Sequence, residues 1–205
     1  MRVVRAHAGH ATNRMEALSD GVIAIAITLL TLDLQAPQLS ATGNGSLGSR
    51  LVTLWPHYLA FATSFIVIAI VWINHHAILA YVVRADHYLL LINLLLLFVI
   101  AVIPFTTSLA AEHLGQDGER TATMVYTGWF CLIPIEVNLL WWHIRRAGLV
   151  DPNAEPAAIA RMTRRFLFGL PAQVALFLVA IVSPVAALIG FVVVALFFAL
   201  PNQSM

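Results

Sequence analysis

The chain is a succession of long apolar runs separated by short charged or Gly/Pro-bearing breaks. This pattern limits the fold more than any single residue does. An apolar helix of about 20 residues crosses the roughly 30 Å hydrocarbon core of a bilayer and satisfies its own backbone groups on the way. Six such runs are present, at about Glu16 to Leu34, Leu54 to Val83, Tyr88 to Ala111, Thr121 to Ile144, Phe166 to Val182 and Val185 to Leu200. Between them lie the polar stretch Gln35 to Arg50, the tight Arg84-Ala85-Asp86-His87, the acidic loop Glu112 to Arg120, and Arg145-Arg146 followed by the linker Asp151 to Pro156. The last two runs are parted only by Ser183-Pro184, so one long kinked helix is the alternative there. About 17 residues on each side of Pro184 suffice for two short spans.

Composition agrees with this reading. The 205 residues are 60% hydrophobic and 10% charged, whereas soluble domains sit near half apolar and a quarter charged. That excludes a water-soluble monomer and a disordered chain. A single cysteine, Cys131, excludes a disulfide scaffold, and a net charge of +1 leaves nothing to hold a nucleic acid electrostatically. The expectation is an all-α polytopic membrane protein, residues 1–205 forming one unit of six transmembrane helices. No cleavable leader is expected, because the first apolar run lacks a small-residue cleavage site before its polar flank.

Every basic residue is an arginine, so orientation reduces to counting. With the N-terminus in the cytoplasm, nine arginines lie inside: Arg2, Arg5, Arg14, Arg84, Arg145, Arg146, Arg161, Arg164 and Arg165. Only Arg50 and Arg120 lie outside. The positive-inside rule then predicts N-in and C-in.

Polar groups within apolar spans are costly and are functional candidates by default. Ser19 and Asp20 stand about one turn into the first span and read either as an interfacial N-cap or as part of a buried polar cluster. In the second span Trp72, His75 and His76 share a helical face. A metal site is the obvious alternative there, but adjacent histidines point about 100° apart, and no further ligands stand at metal-binding spacing. Asn93 lies early in the third span, so Asp20, His75 and Asn93 meet at one depth from three helices, as a polar layer between helices requires. Glu136 and Asn138, beyond Pro134, serve a second network, or Glu136 simply snorkels or is neutral. A stripe of Ile25, Thr28, Leu29 and Leu32 runs along the first helix. It is either ordinary core or the wall of a pore whose large aliphatics form a constriction that dewets.

Arg14 to Leu30, with its Ser19-Asp20-Gly21 and Ala24-Ile-Ala-Ile-Thr28-Leu-Leu30, resembles the first-helix signature of the transmembrane protein 175 family, whose animal member is a lysosomal potassium channel. Leu18 and Ile23 stand where that signature commonly has phenylalanine. Trp72-Ile-Asn-His75-His76 and the run from Asn93 through Ile103-Pro104-Phe105-Thr106 are similar to the family's second and third helices. The resemblance covers about Arg14 to Leu114 and fades in the last three helices.

It implies a six-helix subunit in a homotetramer, with helix one lining a central pore. It also implies potassium preference without a Thr-Val-Gly-Tyr-Gly filter, a string this chain lacks. By the same resemblance Ile25 is the narrowest point, Leu29 and Leu32 are further hydrophobic layers, and Thr28 is a hydroxyl layer. Arg14, Ser19, Asp20, Trp72 and His75, with His76 as the alternative histidine, match the family's polar network. The expected partners are other copies of the chain, K⁺ and other monovalent cations or H⁺ in transit, and the lipid bilayer of the plasma membrane. No cofactor and no structural metal are expected. Asp33, Glu112, Asp117 and Glu119 make the outer mouth negative, which would concentrate cations, and histidines in the network would make gating pH-sensitive. The rival reading is a secondary or proton-coupled carrier using Asp20 and His75 as a relay, although no inverted repeat or paired broken helices support it. An enzyme would need a nucleophile or a ligand set beside the histidine pair, and neither is present.

Overall fold

A computed structural model describes residues 2–34 and 46–199, and within those ranges the side chains from Thr12 to Leu196. The segment 35–45, the side chains of Arg2 and Arg5, and Leu200 at the expected end of span six lie outside the described residues. The described chain is helical: α1 (Arg2–Leu29), tightening into a 3-10 turn (Leu30–Asp33), α2 (Leu47–Thr53), α3 (Trp55–Leu79), α4 (His87–His113), α5 (Glu119–Phe130), α6 (Leu132–Arg146), α7 (Pro156–Val182) and α8 (Pro184–Ala199). Among the described residues, five stretches are long and apolar enough to cross a membrane: Thr12–Asp33, Trp55–Leu79, His87–His113, Glu119–Arg146 and Pro156–Val182. The sixth, α8, has 16 residues and reaches about 24 Å at 1.5 Å per residue.

Local chemistry explains where the helices begin and break. The Asp86 carboxylate accepts the Leu89 amide at 2.7 Å and caps α4. Pro156 opens α7 at a position where its missing N–H leaves no bond unmade. The fourth span is two helices rather than one, because Pro134 has no N–H for the Phe130 carbonyl and its ring presses on that group. The Cys131 amide instead falls between the Thr127 and Gly128 carbonyls, 3.2 Å from each. Pro104 and Pro171, by contrast, lie inside unbroken helices.

Three expected boundaries shift, the first being the start of α1, at Arg2 rather than Glu16. The second span ends at Leu79 rather than Val83, because Tyr81 to Val83 turn into backbone pairing with the α6–α7 connection. The Val83 amide donates to the Leu149 carbonyl (3.0 Å), the Asp151 amide donates to the Tyr81 carbonyl (2.8 Å), and Val82 faces Val150 in an antiparallel bridge. The fifth helix starts ten residues early, at Pro156, so Arg161, Arg164 and Arg165 ride on its first turns.

The long-kinked-helix alternative does not hold. Ser183 is extended (φ −144°, ψ 96°), and α8 folds back along α7. Their approach is close enough that a Cβ on Gly190 would stand 2.5 Å from Leu176 Cδ2.

α4 is the central helix and packs against α1, α3, α5 and α6, while α8 closes the bundle against α3 and α7. Tyr126, Phe130 and Phe191 form a buried aromatic cluster joining α5 to α8, with Tyr126 and Phe130 at 4.5 Å in edge-to-face geometry. At the end where α3 meets α4 and α6 meets α7, His143 Nε2 lies 3.0 Å from each Asp86 oxygen.

Candidate functional site

α1 is two-faced. Thr12, Met15, Ser19, Ile23, Ala26 and Leu30 are buried at helical spacing against α3 and α4. Leu18, Ile25, Thr28, Leu29 and Leu32 lie on the opposite side and are exposed in the single chain, Ile25 at 60% and Leu32 at 66%. The stripe singled out in the sequence is therefore not subunit core, which removes one of its two readings.

The buried face is fixed by a directed chain of hydrogen bonds. His75 Nε2 is 2.7 Å from Asn93 Oδ1, Asn93 Nδ2 donates to Ser19 Oγ at 3.0 Å, and Ser19 donates to the Met15 carbonyl at 2.9 Å. Because the Asn93 nitrogen is committed to Ser19, its oxygen faces the imidazole, so His75 Nε2 carries the proton. Ser19, His75 and Asn93 are each no more than 1% exposed. One link joins α1 to α4 and the other joins α4 to α3.

Asp20 stands outside that chain. Its Oδ1 accepts the indole N–H of Trp72 at 2.8 Å, nearer the subunit surface. Neither Ser19 nor Asp20 begins a helix, since α1 starts at Arg2; the N-cap alternative fails. His76 points away from His75 and pairs through Nδ1 with Glu16 Oε1 at 3.1 Å, its ring stacked on Trp72 at 6.1 Å. The two histidines thus serve different partners, and Ser19, His75 and Asn93 come together without His76. Arg14 is exposed and makes no ion pair or hydrogen bond with another described residue. The single-depth network of the sequence reading is in fact a buried Ser-Asn-His chain beside a more exposed Asp-Trp and Glu-His set.

The stripe has its own chemistry. Thr28 donates to the Ile25 carbonyl at 2.8 Å and Thr31 to the Thr28 carbonyl at 2.7 Å. Spending the hydroxyl proton on the helix itself leaves oxygen lone pairs directed off it.

Several polar contacts were not legible in the sequence. Ser64 Oγ lies 2.7 Å from Thr107 Oγ1 and 2.9 Å from the Tyr126 hydroxyl, joining α3, α4 and α5 in the other half of the bundle. Hydroxyls in apolar runs carry no motif, so only contact reveals them. Trp129 donates to the Val99 carbonyl (2.9 Å), tying α5 to α4. Asn138, already a candidate from the sequence, donates to the Phe166 carbonyl (2.9 Å) and ties α6 to α7. Glu136 is buried rather than snorkelling to the surface, and its Oε2 has no hydrogen-bond partner among the described residues.

Fold and site together define a multi-pass, all-helical membrane protein whose first helix is locked to its bundle on one face and left uncovered on the other. Residues 14–104 match the family described as "Endosomal/lysosomal potassium channel TMEM175". A protein of Streptomyces collinus named as a potassium channel is 45% identical over 161 residues, 77% of each chain. The crystal structure of a lysosomal potassium-selective channel TMEM175 homologue from Chamaesiphon minutus superposes with a TM-score of 0.83 at 38% identity, covering 94% of this chain and 98% of that one. A chicken protein named endosomal/lysosomal proton channel TMEM175 is 39% identical over 154 residues, 72% of this chain and 30% of that protein. The chain belongs to the TMEM175 family.

Proposed function

We propose that four copies of this chain form a potassium-preferring cation channel in the plasma membrane, with α1 around a central pore and both termini in the cytoplasm. The observation that carries the reading is the uncovered stripe Ile25, Thr28, Leu29 and Leu32 on a helix whose other face is anchored by polar bonds. The potassium-channel names of the relatives support it.

Ile25, Leu29 and Leu32 from four copies stack as hydrophobic rings. A ring of branched aliphatics too narrow for a stable water column dewets, and a dewetted constriction blocks ions without a covalent plug. Opening turns or tilts α1 so that the Ile25 ring widens and a cation passes with part of its hydration shell. Between the rings the Thr28 oxygen supplies lone pairs that replace lost water. Such a route needs no catalytic residue and no resident cofactor. Arg14, exposed and unpaired among the described residues, is left available to a neighbouring copy.

The test is potassium flux into proteoliposomes. Ile25→Asn hydrates the constriction, and we expect it to raise basal flux several-fold and narrow the K⁺/Na⁺ difference. Flux identical to the parent removes Ile25 from the gate. Saturable flux that requires a counter-ion selects a carrier instead. Proton conduction along the same route is a second reading, suggested by the naming of the chicken relative, and a pH-sensitive dye inside the same vesicles separates H⁺ from K⁺.

A further inference from the structure

The end of the bundle where α6 meets α7 holds charge that neither the polar network nor the stripe uses. Arg145 Nη1 donates to Thr163 Oγ1 at 3.2 Å, and the same hydroxyl receives Trp141 Nε1 at 2.9 Å. The last turn of α6 is thereby pinned to the turn of α7 that carries Arg164. One residue on, the Arg146 guanidinium lies 5.4 Å from the centre of the Trp142 ring.

The neighbouring carboxylates are engaged elsewhere. Asp86 is bound to His143 and the Leu89 amide, Asp151 to Asn153, and Glu155 faces Arg161 at 3.9 Å. Arg145, Arg146 and Arg164 are exposed and pair with no carboxylate among the described residues. Along α7 from Arg164, the same exposed face turns apolar through Leu167, Phe168, Val174 and Leu178.

We propose that this α6–α7 face is a binding site for an anionic phospholipid, its phosphate held by Arg145, Arg146 and Arg164 and an acyl chain lying along Leu167 to Leu178. A guanidinium presents paired donors that match phosphate oxygens, and arginines at a membrane surface attract anionic headgroups. Trp142 is exposed beside these arginines, and indole rings favour the membrane interface. Free phosphate would use the arginines alone. The apolar stripe continuous with them selects the lipid.

The experiment is native mass spectrometry of delipidated, detergent-solubilised protein titrated with phosphatidylglycerol or phosphatidylcholine. Wild type should retain phosphatidylglycerol preferentially, and Arg145→Gln and Arg164→Gln should each lower that preference about fivefold. Arg120→Gln removes a charge at the opposite end and should leave it unchanged. No preference in the wild type, or an equal loss in Arg120→Gln, overturns the site. Displacement of the lipid by inorganic phosphate at matched ionic strength overturns the lipid as occupant. Should Arg145→Gln disturb folding through Thr163, Arg146→Gln carries the same test from an exposed position.

Discussion

Asn93 shows what one buried amide does for this protein. It holds Ser19 of the first helix with its nitrogen and His75 of the third with its oxygen. Removing it leaves the His75 donor without a partner and the Ser19 oxygen with only its own bond to the Met15 carbonyl, in a site closed to water. We expect Asn93→Ala to destabilise the subunit by about 1–3 kcal/mol, read as a lower unfolding temperature in detergent. Trp72→Phe, which loses only the bond to the more exposed Asp20, should cost less. Equal losses for the two would mean that burial does not set the strength of these bonds.

Asp86 makes a pH prediction. Partial burial works to raise its carboxyl, but the Leu89 amide, the hydrogen bond and charge of His143, and Arg84 together hold it below the ordinary value of 3.8. A lowered folded value means that the carboxylate stabilises the fold fully above 3.8 and that this stabilisation is lost as the pH falls through the folded value. Asp86→Asn should therefore flatten the acid side of the unfolding-temperature profile and still cap α4. A profile parallel to wild type below pH 5 would count against it.

At the scale of elements, α1 and the α7–α8 hairpin carry opposite lessons. The periodicity of α1 placed Ile25, Thr28, Leu29 and Leu32 on one stripe, yet periodicity treats core and pore wall alike. Only the burial of Ser19, Ile23 and Leu30 on the opposite face tells which side is turned inward. In the hairpin, Ser183-Pro184 marked the break, and the closeness of the two arms emerged from packing. Gly190→Leu places a side chain where Leu176 already stands, and we expect a loss of about 1–3 kcal/mol from overpacking. Thermal unfolding indistinguishable from wild type would show that Leu176 simply swings aside.

For the whole molecule, the uncovered face of α1 makes assembly the decisive question. If α1 surrounds a fourfold axis, Leu32→Cys in a Cys131→Ser background brings four thiols to the pore and should give disulfide-linked dimers on mild oxidation. The parent should elute at four times the chain mass by light scattering. A monomer in several mild detergents, or Leu32→Cys that never cross-links, would turn the stripe toward lipid. The α6–α7 arginines belong to this scale as well, because the proposed lipid site would fix where the bundle meets a charged surface.

The sequence by itself determined the class of protein. Its apolar runs, arginine distribution and polar exceptions are local quantities, and a bilayer makes local hydropathy decisive by leaving no other place for such segments. Ser19, His75 and Asn93 were also legible, since a polar residue in an apolar span stands out against its neighbours. What only the tertiary structure decided was partnership. Asp20 joins Trp72 and His76 joins Glu16, apart from the Ser-Asn-His chain; Ser64 meets Thr107 and Tyr126; Asp86 meets His143. These pairs are set by how helices far apart in sequence are rotated and tilted against one another. That rotation follows from the packing of many small contacts at once, and no run of neighbouring residues contains it.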